Sequence, residues 1–130
     1  MPKIEAHATV LLVENVARAA TYYHDKLGFD VDSYDRLPEH YAYAQCDNCW
    51  IHFAHWEGVR RPPNRELVPP DMFDLYIYVD DVDALYAELQ MRGADVILPP
   101  VEQGYGCYEI RVRDPDGYVL AFGRVVDQAA

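Results

Sequence analysis

The sequence has no run near the roughly 20 apolar residues that a membrane-crossing helix needs. Its opening residues, Met-Pro-Lys-Ile-Glu-Ala-His, lack the apolar centre of a signal peptide. These absences predict a cytoplasmic protein with no membrane partner. Basic residues are scarce: 11 Lys and Arg stand against 22 Asp and Glu, a formal net charge of −11 at pH 7. Phosphate backbones would be repelled, which excludes nucleic acid as a partner. The same charge favours solubility and would draw in a cationic ligand. Cysteine is also sparse, and its count is odd: Cys46, Cys49 and Cys107. That argues against a disulfide framework. Cys46-x-x-Cys49 lacks the second pair a zinc site would want. A redox motif would want a helix after its first cysteine, but strand-like Trp50-Ile51-His52-Phe53 follows. Two thiols flanking a hairpin turn is the simpler reading.

What is present is a core and a repeat. Hydrophobic residues make up 51% of 130, enough for one ordinary domain. Val13-Glu14-Asn15-Val16 matches Val79-Asp80-Asp81-Val82. A strand-like stretch precedes each and a helical stretch follows. Val16, Ala20, Tyr23 and Leu27 share one helix face, as do Val82, Leu85 and Leu89. Asn15 and Asp81 can cap the helix starts, and Gly28 and Gly93 stand where a left-handed terminal residue is wanted. Each copy then has room for two strands, of which Tyr41 to Gln45 and Tyr108 to Arg113 are the clearer. An Asp-Asn turn (Asp47-Asn48) and an Asp-Gly turn (Asp116-Gly117) introduce the last, alternating strands. The organisation read from this is a single domain, 1–130, of α+β class. Its two tandem β-α-β-β-β modules span 6–56 and 72–124, joined by a proline-rich linker over 57–71.

In this order, with this repeat, the pieces Val13-x-Asn15-Val16, Tyr22-Tyr23, Leu27-Gly28-Phe29, Val79-Asp80-Asp81-Val82, Asp114-Pro115-Asp116-Gly117-Tyr118 and Leu120-Ala121-Phe122-Gly123 resemble the vicinal oxygen chelate superfamily over about residues 6–124. That superfamily includes glyoxalases, extradiol dioxygenases and bleomycin-resistance proteins. The resemblance implies an open eight-stranded, cup-shaped sheet whose concave face binds the ligand, and a homodimer. It also implies four metal-ligand positions, which fall on Ala8, His52, Asp74 and Ala121. Two of these are alanines without a donor atom, and His7 is one residue from its expected place, on the opposite face of a strand. His52 and Asp74 alone fall short of the three or four ligands a stable divalent site needs. His24, His40 and His55 show no ligand spacing with each other.

Strand alternation assigns the faces. Leu75, Ile77 and Val79 should pack on the helices, leaving Asp74, Tyr76 and Tyr78 for the cup. Ile51 and Phe53 take the helix side, leaving Trp50, His52 and Ala54, with Ala8, Val10 and Leu12 beside them. Tyr105-Gly106-Cys107-Tyr108-Glu109-Ile110 is similar to a stretch of bleomycin-resistance relatives in which an aromatic and a glutamate lie beside the ligand groove. The predicted ligand-binding residues are therefore Trp50, His52, Asp74, Tyr76, Tyr105 and Glu109. Aromatic walls with nearby carboxylates suit a flat or cationic organic ligand, although tyrosine is common in strands for its own sake. The expected function is small-molecule binding or sequestration, with no catalytic residue and no metal or other cofactor. The alternative is a lyase, isomerase or dioxygenase in which one divalent metal sits on His52 and Asp74, helped by a ligand such as Glu109.

Overall fold

The computed structural model describes residues 1–33 and 38–126. It divides into two compact units, Met1–Arg61 and Pro62–Ala130. Part of the stretch between the first helix and Tyr41, residues 34–37, lies outside the described residues, as does the 127–130 end of the expected domain.

The first unit runs β1 (His7–Leu12), α1 (Val16–Asp25), β2 (Asp30–Ser33), β3 (Tyr41–Cys46) and β4 (Cys49–Ala54). Its sheet has the order β1-β4-β3-β2, with β1 parallel to β4 and the other pairs antiparallel. Helix α1 starts where Asn15 accepts a hydrogen bond from the Arg18 amide at 2.9 Å, satisfying a donor that the first turn leaves unpaired. Its apolar stripe, Val16, Ala19, Tyr23 and then Leu27, is buried. The sheet side that meets it carries Leu11, Ala42, Ala44, Ile51 and Phe53, all but excluded from solvent. Tyr23 anchors this core edge-on to Phe29 and tilted against Phe53, at ring-centroid distances of 6.1 and 4.8 Å.

The second unit repeats the pattern. A short 3-10 turn, η1 (Asn64–Glu66), precedes β5 (Leu75–Tyr78), α2 (Val82–Arg92), β6 (Asp95–Glu102), β7 (Cys107–Arg113) and β8 (Val119–Val125). The sheet order is β5-β8-β7-β6, with β5 parallel to β8. Asp81 caps α2 by accepting from the Ala84 amide at 2.9 Å. Gly93 ends the helix at φ 76°, a conformation a residue with Cβ takes at a cost. The Asp114–Gly117 turn is built around a buried carboxylate: Asp114 Oδ1 accepts from the Asp116 and Tyr118 amides at 2.9 and 3.0 Å. The α+β class and the two β-α-β-β-β modules are as the repeat implies.

Two features differ in detail from the sequence pattern. The later part of the 57–71 segment packs on the second unit: the Asn64 amide donates to Asp74, and Arg111 donates to the Asp71 carbonyl. Strand β5 alternates less cleanly than its sequence, with Leu75 and Ile77 only half-buried. Within its own sheet it is an edge strand, paired with β8 alone.

Phe53→Ala should destabilise the protein by about 3–5 kcal/mol, the cost of a large cavity in a packed core. Tyr78→Ala, at a position 70% exposed, should change it by about 0.5 kcal/mol or less. Urea unfolding monitored by far-ultraviolet circular dichroism checks the contrast.

Candidate functional site

Period-two alternation gives each sheet a face turned away from its helix, and the two faces differ in chemistry. In the first unit the β3–β4 hairpin closes on Asp47-Asn48, with Asp47 at φ 50°, a left-handed conformation that aspartate tolerates better than most residues. The turn fixes the register: Cys46 opposes Cys49, Gln45 opposes Trp50, Tyr43 opposes His52 and Tyr41 opposes Ala54. Because Ile51 and Phe53 go into the core, Trp50 and His52 go to the other face, and Tyr41 and Tyr43 go with them.

The result is a strip of four half-exposed rings. Tyr43 lies 5.9 Å from Trp50 and 6.0 Å from His52, and Tyr41 lies 5.5 Å from His52, measured between centroids. Ala8 and Val10 of β1 lie beside Trp50 and His52 in the parallel register, a smooth apolar margin. The Tyr41 hydroxyl and His52 Nδ1 are 2.6 Å apart. Either the phenol O–H donates to the ring nitrogen or the ring N–H donates to the phenol oxygen, according to the imidazole tautomer. The half-exposed His52 ring thus sets a polar group among aromatic faces.

The equivalent face of the second unit is occupied with itself. Glu109 is fully buried, and its Oε1 accepts from the Tyr76 hydroxyl at 3.2 Å and from the Tyr105 hydroxyl. Its Oε2 accepts from Arg111 Nε at 2.9 Å. Arg111 also donates to the Pro70 and Asp71 carbonyls and lies 5.4 Å from the Phe73 ring centroid. Tyr76 fits because residue 123 is glycine: a Cβ there would come within 2.1 Å of the Tyr76 oxygen. Burial, then hydrogen bonding to Cys107 and the charge of Glu109, push the Tyr76 hydroxyl far above the ordinary tyrosine pKa. Tyr105 is raised for the same first reason, and by Glu109. Tyr108 goes to the helix side and donates to Asp83 of α2 at 2.5 Å.

Five of the six residues predicted to touch a ligand thus fall into two groups. Trp50 and His52 stand on the first strip. Tyr76, Tyr105 and Glu109 form the second cluster. Asp74 joins neither, because its carboxylate accepts from the Asn64 amide at 2.8 Å and the Val119 amide at 2.9 Å, tying η1 and β8 together. Sequence reading missed Tyr41 and Tyr43, which counting outward from the Asp47-Asn48 turn would have placed opposite the β4 residues. His40 and His55 prove to be cross-strand neighbours with rings stacked 6.2 Å apart, and their Nδ1 atoms bond to the His55 and Val13 carbonyls.

The donor set fits a divalent metal poorly. Ala8 and Ala121 lack donor atoms and Asp74 is held by two amides, which leaves His52 alone among the four expected positions. Among the described residues no three His, Cys, Asp or Glu side chains converge to hold an ion.

A family model, Glyoxalase/Bleomycin resistance protein/Dioxygenase superfamily, matches residues 6–122. No curated protein matches the chain. Among solved structures, the bleomycin-binding protein from bleomycin-producing Streptomyces verticillus, complexed with copper(II)-bleomycin, is 24% identical with a TM-score of 0.71. The match covers 98% of this chain and 100% of that one. TioX from Micromonospora sp. ML1 is 17% identical with a TM-score of 0.70, over 93% and 98% of the two chains. A virulence protein from Salmonella typhimurium is 21% identical with a TM-score of 0.68, over 97% and 100%. Likeness at this identity establishes a shared fold.

A tyrosine whose folded pKa is raised favours the folded state below its unfolded pKa of about 10 and loses that contribution as pH climbs above it. Alkaline unfolding should therefore steepen above pH about 10 in the parent. In Tyr76→Phe it should be shallower, from a lower neutral-pH stability because Glu109 has lost a donor. Denaturant midpoints across pH 8–12 check both limbs.

Proposed function

Since the chain belongs to the glyoxalase/bleomycin resistance protein/dioxygenase superfamily, we propose that it is a small-molecule binding protein that takes a flat aromatic or cationic organic ligand without a metal. The observation that carries this reading is the strip of Tyr41, Tyr43, Trp50 and His52. Four half-exposed rings on neighbouring strands present a stacking surface at little conformational cost. The His52 imidazole supplies one directional polar contact, and the net charge of −11 favours a cation at longer range. The copper(II)-bleomycin complex of the Streptomyces relative lends support to small-molecule binding.

In this reading Asp74 and Glu109 support the fold of the second unit, because protein donors already use their oxygens. Tyr76 and Tyr105 keep Glu109 satisfied, and the exposed part of Tyr105 is left for secondary contact with a ligand. The proposal includes a homodimer, for which the family resemblance is the support, and action in the cytoplasm.

Calorimetric titration of chelator-treated protein with a bleomycin-type glycopeptide, and separately with a flat cationic dye, tests the reading. Binding should persist without metal. Trp50→Ala should weaken it about tenfold, which corresponds to about 1.4 kcal/mol, the scale of one stacked ring. An unchanged affinity would remove Trp50 from the site. A stoichiometric transition metal in protein purified without chelator, lost in His52→Ala, would favour the metal-dependent enzyme instead.

A further inference from the structure

The Cys46-x-x-Cys49 motif is left unused by the ligand-binding reading, yet the hairpin gives it a defined geometry. The two residues are register partners on the last rung of β3 and β4, separated only by the Asp47-Asn48 turn. Directly opposed residues of an antiparallel pair point to the same face, with Cα atoms about 4.5–5.5 Å apart. A disulfide accepts Cα separations of about 4.4–6.8 Å. Cys46 is exposed and Cys49 half-buried, and both are thiols in this structure. The Cys46 thiol lies 3.9 Å from Asp47 Oδ2.

We propose that Cys46 and Cys49 form a dithiol modification site, oxidised by thiol–disulfide exchange with a small disulfide such as glutathione disulfide. The exposed Cys46 loses its proton to solvent, and its thiolate attacks one sulfur of glutathione disulfide. The S–S bond breaks, one glutathione thiolate leaves, and a mixed disulfide remains on Cys46. Cys49 then loses its proton, and its sulfur attacks Cys46 Sγ and expels the second glutathione thiolate. Two protein thiols are oxidised, and one glutathione disulfide is reduced to two glutathiones. The reverse exchange restores the dithiol.

The geometry assigns the order of events. Cys46 is the accessible entry thiol, and Cys49 resolves. Burial and the neighbouring Cys46 raise Cys49 to about 11, so little of it is thiolate at neutral pH. In the mixed disulfide the Cys46 charge is gone and burial alone holds Cys49 up, so the resolving step should still quicken, by up to about tenfold per pH unit, as pH rises. The bridge closes a very short loop, so it constrains the unfolded chain little, and it is exposed; such disulfides are the readily reduced ones. Its local effect falls on the next rung, where Gln45 opposes Trp50.

The test uses the full chain incubated with glutathione disulfide at pH 7, 8 and 9, quenched with acid and read by intact mass and peptide mapping. The expected product has lost two hydrogens, retains no glutathione and contains a Cys46–Cys49 cross-link. Its formation should be faster at each higher pH. Cys49→Ser should stop at one retained glutathione on Cys46, and Cys46→Ser should react at least tenfold more slowly at Cys49. Wild-type protein that accumulates a stable glutathione adduct, or that pairs Cys107 with either cysteine, would overturn the proposal.

Discussion

The register of one hairpin governs most of what the first unit can do. In an antiparallel pair, a slip by one residue sends every side chain to the opposite face. The two-residue turn at Asp47-Asn48 prevents that slip, and its left-handed Asp47 sets the path of the chain. With the register held, Phe53 and Ile51 enter the core while Trp50 and His52 leave it, and Tyr43 is brought opposite His52. The hydrogen bond between Tyr41 and His52 follows from the same pairing, as does the opposition of Cys46 and Cys49 at the turn. Core, aromatic strip and dithiol are three consequences of one alignment.

The second unit shows what the same supersecondary pattern becomes when its open face is filled. A buried carboxylate is tolerated only when its oxygens are paired. Glu109 achieves this with two tyrosines and an arginine, and Arg111 in turn holds the Pro70-Asp71 segment. The absence of a side chain at position 123 is part of the same arrangement, since it leaves room for the Tyr76 hydroxyl. Duplicated modules have thus diverged: one carries an accessible aromatic surface, the other a self-satisfied polar cluster.

Much of this was legible in the sequence because it rests on local rules. The caps at Asn15 and Asp81, the left-handed Gly93 and the two modules follow from residue chemistry and period alone. The sides taken by Trp50, Ile51, His52 and Phe53 follow from alternation. What escaped depends on partners distant in sequence. Asp74 reads as a free carboxylate until Asn64 and Val119 deliver their amides to it. Glu109 reads as a groove residue until Tyr76, from another strand, and Arg111 close around it. Tyr41 and Tyr43 were recognised as strand residues, but their neighbours across the turn were not counted, although equal steps outward from Asp47-Asn48 suffice. His40 and His55 escaped for the same reason.

On the reading proposed above, the β3–β4 aromatic strip of the first unit is a metal-independent ligand surface. The most direct measurement is aromatic and imidazole NMR of chelator-treated protein, titrated with a flat cationic ligand. Shift changes should concentrate on the rings of Tyr41, Tyr43, Trp50 and His52. Changes that appear only after a divalent metal is restored, or that centre on Phe73, Tyr76 and Tyr78 while the four rings stay unmoved, would contradict it.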